Sequence, residues 1–190
     1  MFKCPEEVIK GIFITKEKRH KLFGCVAGGS GSCNPENFQR EMIIKGTNIK
    51  CEKTNTRINL RTYDLVNISQ PNKNIDGFDY SEDFDGIQYI KNNAIYINLK
   101  CIVGKGGSQT RSLREVYWFI QGQLKVLLNK KTNIYFANIL DGDEANFCMT
   151  KYKYLLSQPE YINISKYIYV GDLNEYFNWL NSFLEIEDVK

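Results

Sequence analysis

Residues 95–100 alternate strictly, with Ile95, Ile97 and Leu99 apolar against Tyr96, Asn98 and Lys100. Side chains along a β-strand point to opposite faces in turn. The alternation therefore predicts a strand over 94–103 on which Asn98 and Lys100 share a face. Residues 86–90 predict its partner, and Lys91-Asn92-Asn93 has the turn chemistry of a tight hairpin. Downstream the period changes to that of a helix. Leu113, Val116, Tyr117, Ile120, Leu124, Leu127 and Leu128 form an apolar stripe over 110–129, with Ser108 or Thr110 as cap, while Arg111, Glu115, Trp118 and Gly122 fall on another face.

The same reasoning covers the rest of the chain. Asn34-Pro35-Glu36 places a cap, a proline and an acid where a helix opens, and that helix runs through Phe38, Met42 and Ile43 to stop near Gly46. Alternation over 57–63, continuing to Val66 and Ile68, predicts a strand, and 69–74 a turn or loop. Strands over 133–140 and 166–170 alternate with helices over 144–156 and from Asp172 to about residue 185. Ahead of all these lie a short helix over 6–13, a basic patch over 16–21 and a glycine-rich loop over 27–32 that lacks the Gly-Lys-Ser/Thr ending of a phosphate-binding loop. This order predicts an α/β fold, a central mixed β-sheet flanked by helices.

Length and composition keep this picture within one domain. A chain of 190 residues with 43% hydrophobic and 13% aromatic positions can bury its own core. We expect a single domain over 1–190, with an N-terminal helix and strand region over 1–79 and the functional core over 80–190. No apolar run approaches the roughly 20 residues of a membrane span, and the start lacks the features of a secretory signal, so the expected location is cytoplasmic, with no membrane partner. The six cysteines are scattered with no Cys-x-x-Cys, and His20 stands alone, which points to unpaired, mostly buried thiols and away from a zinc site. Tyr152, Tyr154, Tyr161, Tyr167, Tyr169, Tyr176 and Phe177 read as core and interface packing rather than base stacking.

Net charge is only +3, but the four cations between Lys100 and Arg114 meet no acid in that interval. Lys105, Gln109, Arg111 and Arg114 are candidate DNA contacts, since such groups grip phosphates and Gln and Arg also read base edges. An ion pair on the helix surface is the alternative for Arg111 and Arg114. Phosphodiester hydrolysis needs a divalent metal and a positive group against developing charge. Asp85 can supply a carboxylate, Lys100 the positive group, and the strand backbone at Leu99 or Cys101 a further oxygen. Asp141 and Asp143 form a second acidic pair, for which helix capping is the simpler reading.

Asp85, the Asn98-Leu99-Lys100 segment and the run from Gly106-Gly107-Ser108 through Glu115-Val116-Tyr117 resemble the catalytic core of type II restriction endonucleases of the PD-(D/E)xK nuclease superfamily. The resemblance covers 80–156. It implies a restriction-endonuclease-like core and a magnesium-dependent, sequence-specific cut in double-stranded DNA, made by a homodimer. Phe84 stands where the superfamily has proline, and Asn98 where it has a metal-binding acid. Some members carry that acid on the following helix, which implies catalytic roles for Asp85, Asn98, Lys100 and Glu115, and metal ligation by Asp85 and Glu115, with Glu82 as a further ligand.

Other readings remain open at this stage. Asp85 suits a turn beside Gly86, Lys100 a solvated strand, and Glu115 an ion pair with Arg111 one turn away. The same fold with its site degraded at Asn98 would give a DNA-binding protein without cleavage, and a structure-selective repair or recombination nuclease is the third option.

Overall fold

The computed structural model describes residues 1–12, 35–67, 81–102, 106–129 and 133–188. Its centre is a four-stranded sheet in the order β4-β5-β6-β7, where β4 is Gly86–Ile90, β5 Asn93–Cys101, β6 Ile134–Asp141 and β7 Ile168–Gly171. The β4/β5 pair is antiparallel, joined by the two-residue turn Lys91-Asn92 with Lys91 at φ 54°. The β5/β6 and β6/β7 pairs are parallel. Parallel neighbours need crossovers, and helices α3 (Gly107–Asn129) and α4 (Asp143–Leu156) supply them. The expected mixed sheet flanked by helices is present.

Alternation along the strands divides the core into two layers. On one face Phe136, Leu140 and Ile168 pack against Val116, Ile120 and Leu124 of α3 and Cys148, Tyr152 and Leu155 of α4. On the other, Ile95, Ile97, Leu99, Ala137 and Ile139 meet Met42 and Ile43 of α2 (Pro35–Thr47), Val8 of α1 (Glu6–Ile12), and Tyr176, Phe177 and Leu180 of α5 (Leu173–Asp188). Burial of this order, at about 25 cal/mol per Å² of apolar surface, dominates folding. Phe2 and Asn181 join the two ends of the described chain, the Phe2 N–H donating to Asn181 Oδ1 (2.7 Å) and Asn181 Nδ2 donating to the Phe2 carbonyl (2.9 Å). No helix among the described residues is long and apolar enough to cross a membrane.

A second, three-stranded antiparallel sheet in the order β2-β1-β3 caps the first face, with β1 Thr56–Asn59, β2 Asp64–Asn67 and β3 Ser81–Asp83. Here the expected single strand over 57–68 is broken into a hairpin. Asn59 Oδ1 accepts from the N–H groups of Arg61 (2.9 Å) and Thr62 (3.2 Å), and Tyr63 takes φ 56°, so an Asx turn reverses the chain. Ile68 and the loop expected over 69–74, like the basic patch and the glycine-rich segment before residue 35, lie outside the described residues.

Candidate nuclease site

The hairpin places Asp85 just before β4, beside the C-terminal half of β5. Phe84 is 3% exposed and stacks on Phe136 with ring centroids 5.5 Å apart, touching Phe119 and Tyr96 as well. An aromatic at this position anchors the chain, where proline would supply only a fixed φ. The next residue is thereby held in register: the Asp85 N–H donates to the Ile97 carbonyl (2.9 Å), and Asp85 Oδ2 accepts from the Leu99 N–H (2.7 Å). Lys100 Nζ stands 3.9 Å from Asp85 Oδ2, so the structure brings these two expected residues together.

The carboxylate that joins them comes from α2, not α3. Glu36 Oε1 lies 3.9 Å from Lys100 Nζ. Burial first, and then the neighbouring Asp85 charge, raise the Glu36 carboxyl above its ordinary range, against the pull of Lys100, Arg40 and Lys53. Two further α2 side chains tie the helix to the strand ends. Arg40 Nη2 donates to the Asp85 carbonyl (2.6 Å). Gln39, fully buried, donates from Nε2 to the Lys100 carbonyl (3.2 Å) and to Asp141 Oδ2 (2.6 Å). The sequence reading took Glu36 only as a helix-opening acid. Its nearest signal was the polar Glu36, Gln39 and Arg40 spacing, which sets three polar groups on one side of an otherwise half-apolar helix.

Asn98 and Lys100 share a strand face, as the alternation requires, but their ends diverge. Asn98 is 2% exposed, and its Nδ2 donates to Asn138 Oδ1 (3.1 Å). Asn138 exchanges two further hydrogen bonds with Gln123 of α3, at 2.6 and 3.0 Å. Asn98 thus belongs to a buried amide network between sheet and helix, where the missing acid of the resemblance would have no place.

Glu115 is exposed on α3, between Leu113 and Val116, which turn inward. The helix begins at Gly107, three residues before the expected start, with Thr110 N–H bonded to the Gly106 carbonyl. Glu115 therefore sits more than two turns in, beyond the first turn where the helix dipole favours a carboxylate. Among the described residues the acids within 4 Å of Lys100 are Glu36 and Asp85, and Glu115 is not one of them. Glu82 is exposed on β3 opposite Ile58. Among the described residues no three His, Cys, Asp or Glu side chains are grouped to hold a metal, so Asp85, Glu115 and Glu82 are not assembled as a ligand set.

Of the candidate DNA contacts, Arg111 and Arg114 are exposed on the first turns of α3. Gln109 is in the same helix, with a side chain outside the described residues, and Lys105 lies outside them altogether. The acidic pair does not cap α4 as expected, since Gly142 is its N-cap and no side chain bonds there. Besides Gln39, Asp141 accepts the Leu173 N–H at the start of α5 (3.0 Å), and Asp143 is the first residue of α4. Asp172 caps α5 as expected, accepting the Glu175 N–H at 2.9 Å. Gly142 between the aspartates has φ 104°, and a Cβ there would stand 2.2 Å from the Ile102 carbonyl oxygen, so only glycine fits this crossing. A cleft of about 520 Å³ at this end of β6 and β7 is lined by Glu7, Asp141, Asp143, Asp172 and Glu175, with Lys153 as its cation.

Comparison with family models, with curated proteins and with solved structures gives no match.

Proposed function

We propose that the chain is a magnesium-dependent DNA endonuclease of the restriction type, built on a restriction-endonuclease-like core and working as a homodimer at Glu36, Asp85 and Lys100. The observation that carries this reading is the convergence of two carboxylates on one lysine at the C-terminal end of β5, each 3.9 Å from its Nζ. Exposed ion pairs contribute at most about 1 kcal/mol, so stability alone is a weak reason for this grouping. The donor set fits magnesium, which takes one or two carboxylates and fills its other positions with water and substrate phosphate. Burial first, and then the Asp85 charge, raise the Glu36 carboxyl, and the second of these is what a divalent ion would relieve.

Glu36 and Asp85 would hold the ion, which when bound polarises the phosphate and makes hydroxide available near neutral pH. Lys100 places its ammonium against the charge that develops on the phosphate in the transition state. Arg40 fixes the Asp85 backbone and Gln39 the Lys100 backbone, so both functional groups rest on held main chain. Incubating the purified protein with a sequenced plasmid and magnesium tests the reading. Discrete fragments are expected, and a plasmid left intact with every divalent metal would overturn it.

A second reading is favoured by Asn98. With that position committed to the buried amides, the site holds two carboxylates rather than three, and a DNA-binding protein without cleavage follows. It predicts salt-sensitive retention of duplex DNA with no product.

A further inference from the structure

On the face of the molecule away from α2, helices α3 and α4 leave a groove between them whose chemistry differs from that of the β6/β7 cleft. Two adjoining hollows of about 250 and 390 Å³ share Tyr117 and Lys151. Phe147 stands at one end and Tyr154 at the other, and these large rings are 71% and 67% exposed. Trp118, 58% exposed, meets Tyr117 edge-on at 5.7 Å. Arg114 lines the first hollow, and Arg111 is exposed one turn before it. The acids of this region are Glu144 in the lining and Glu115 on the exposed side of α3, so cations prevail, whereas the β6/β7 cleft is dominated by acids.

From these residues we infer that the α3/α4 groove binds an unpaired nucleic-acid strand, with Phe147 and Tyr154 as stacking faces and Arg114 and Lys151 as phosphate contacts. Exposed aromatic faces interleaved with cations are what single-strand binding needs, because every base has a π-face and every nucleotide a charge. Phe147 and Tyr154 are seven residues apart on one helix, hence about 10 Å along its axis, which matches about three stacked bases. A protein partner would use the apolar rings but leave the excess of cations unmatched. Topology supplies the second argument. β5 and β6 are parallel, with α3 following the first and α4 the second, so both helices begin at the end of the sheet that carries Lys100.

The choice of a DNA strand rests on the proposed nuclease reading, and the test separates the two. Anisotropy of a labelled oligothymidylate is measured in EDTA, where cleavage plays no part. Wild type should bind. Phe147→Ala and Tyr154→Ala should each weaken binding about tenfold, and Arg114→Ala and Lys151→Ala should each lower the salt slope by about 0.7. Each substitution is on an exposed side chain, and an unchanged thermal midpoint confirms that the fold persists. Failure of wild type to bind, or equal affinity in the aromatic variants, would overturn the inference, as would variants that dissociate a dimer while keeping affinity. If no plasmid is cut but the aromatic variants lose affinity, the groove stands and the nuclease reading falls.

Discussion

Two polar clusters share the same stretch of β5, and they are built in opposite ways. Asn98, Asn138 and Gln123 are each no more than 2% exposed and are joined by hydrogen bonds of 2.6 to 3.1 Å. Two residues further on, Lys100 stands half exposed and 3.9 Å from each of two acids. The first cluster satisfies its own donors and acceptors, and in a low-dielectric interior that rigidifies the fold. The second leaves charge at contact distance but incompletely paired, in a place that solvent reaches. Polar residues at adjacent positions of one strand face thus differ in kind, one enclosed in the core and one charged and half exposed, and only their surroundings tell them apart.

The sharpest way to break this contrast is to remove the second cluster. Lys100→Ala should lower plasmid cleavage at least about 100-fold with little change in thermal midpoint, and Asp85→Ala should lower cleavage as far while also lowering the midpoint, because the Leu99 N–H loses its acceptor; equal cutting by either variant would remove these residues from the chemistry. Next comes a charge placed in the first cluster. Asn98→Glu would restore the acid that the resemblance lacks, yet here it buries an unpaired carboxylate, at a cost of about 3 kcal/mol or more. The thermal midpoint should fall by about 10 °C, with no gain of cleavage, and a stable, faster-cutting variant would show that Asn98 faces the site after all.

A smaller effect sharpens the role of Glu36. Its carboxyl is raised, so the folded state holds a proton where the unfolded chain has lost it. That contribution is complete below the ordinary glutamate range and is lost as pH rises through the raised value. Glu36→Gln cannot ionise, so it should gain on wild type as pH climbs through this window, by no more than about 2 °C, because the side chain is 42% exposed and solvent screens it. Melting curves across acid pH check the sign. Smallest of all, Glu115→Ala should leave cleavage within about twofold, as expected of an exposed side chain off the site.

The strands and helices that carry period two or 3.6 were legible from the chain, and with them the pairing of Asp85 with Lys100. What escaped had physical causes. Asn59 hides a turn inside an alternating segment, because its side chain imitates a backbone carbonyl that the apolar pattern cannot register. Two glycines opening α3 made the helix start look later, which moved Glu115 toward the site on paper. Tyr154 followed the tyrosines that proved buried, such as Tyr152, Tyr161 and Tyr176, yet its helical phase turns it outward. Glu36 is more than 45 residues from Asp85, and no local rule links a helix-opening acid to a distant hairpin.

The Phe2 and Asn181 clasp bears on how the molecule comes together in time. A contact spanning 179 residues cannot nucleate folding, since closing so long a loop demands an entropy that nearby pairings must first offset. The β4/β5 hairpin, closed over two residues, is by contrast a low-entropy closure, and it sets Asp85 beside the strand that carries Lys100. Glu36 reaches Lys100 only through the packing of α2 on the sheet, so that contact carries a larger closure cost.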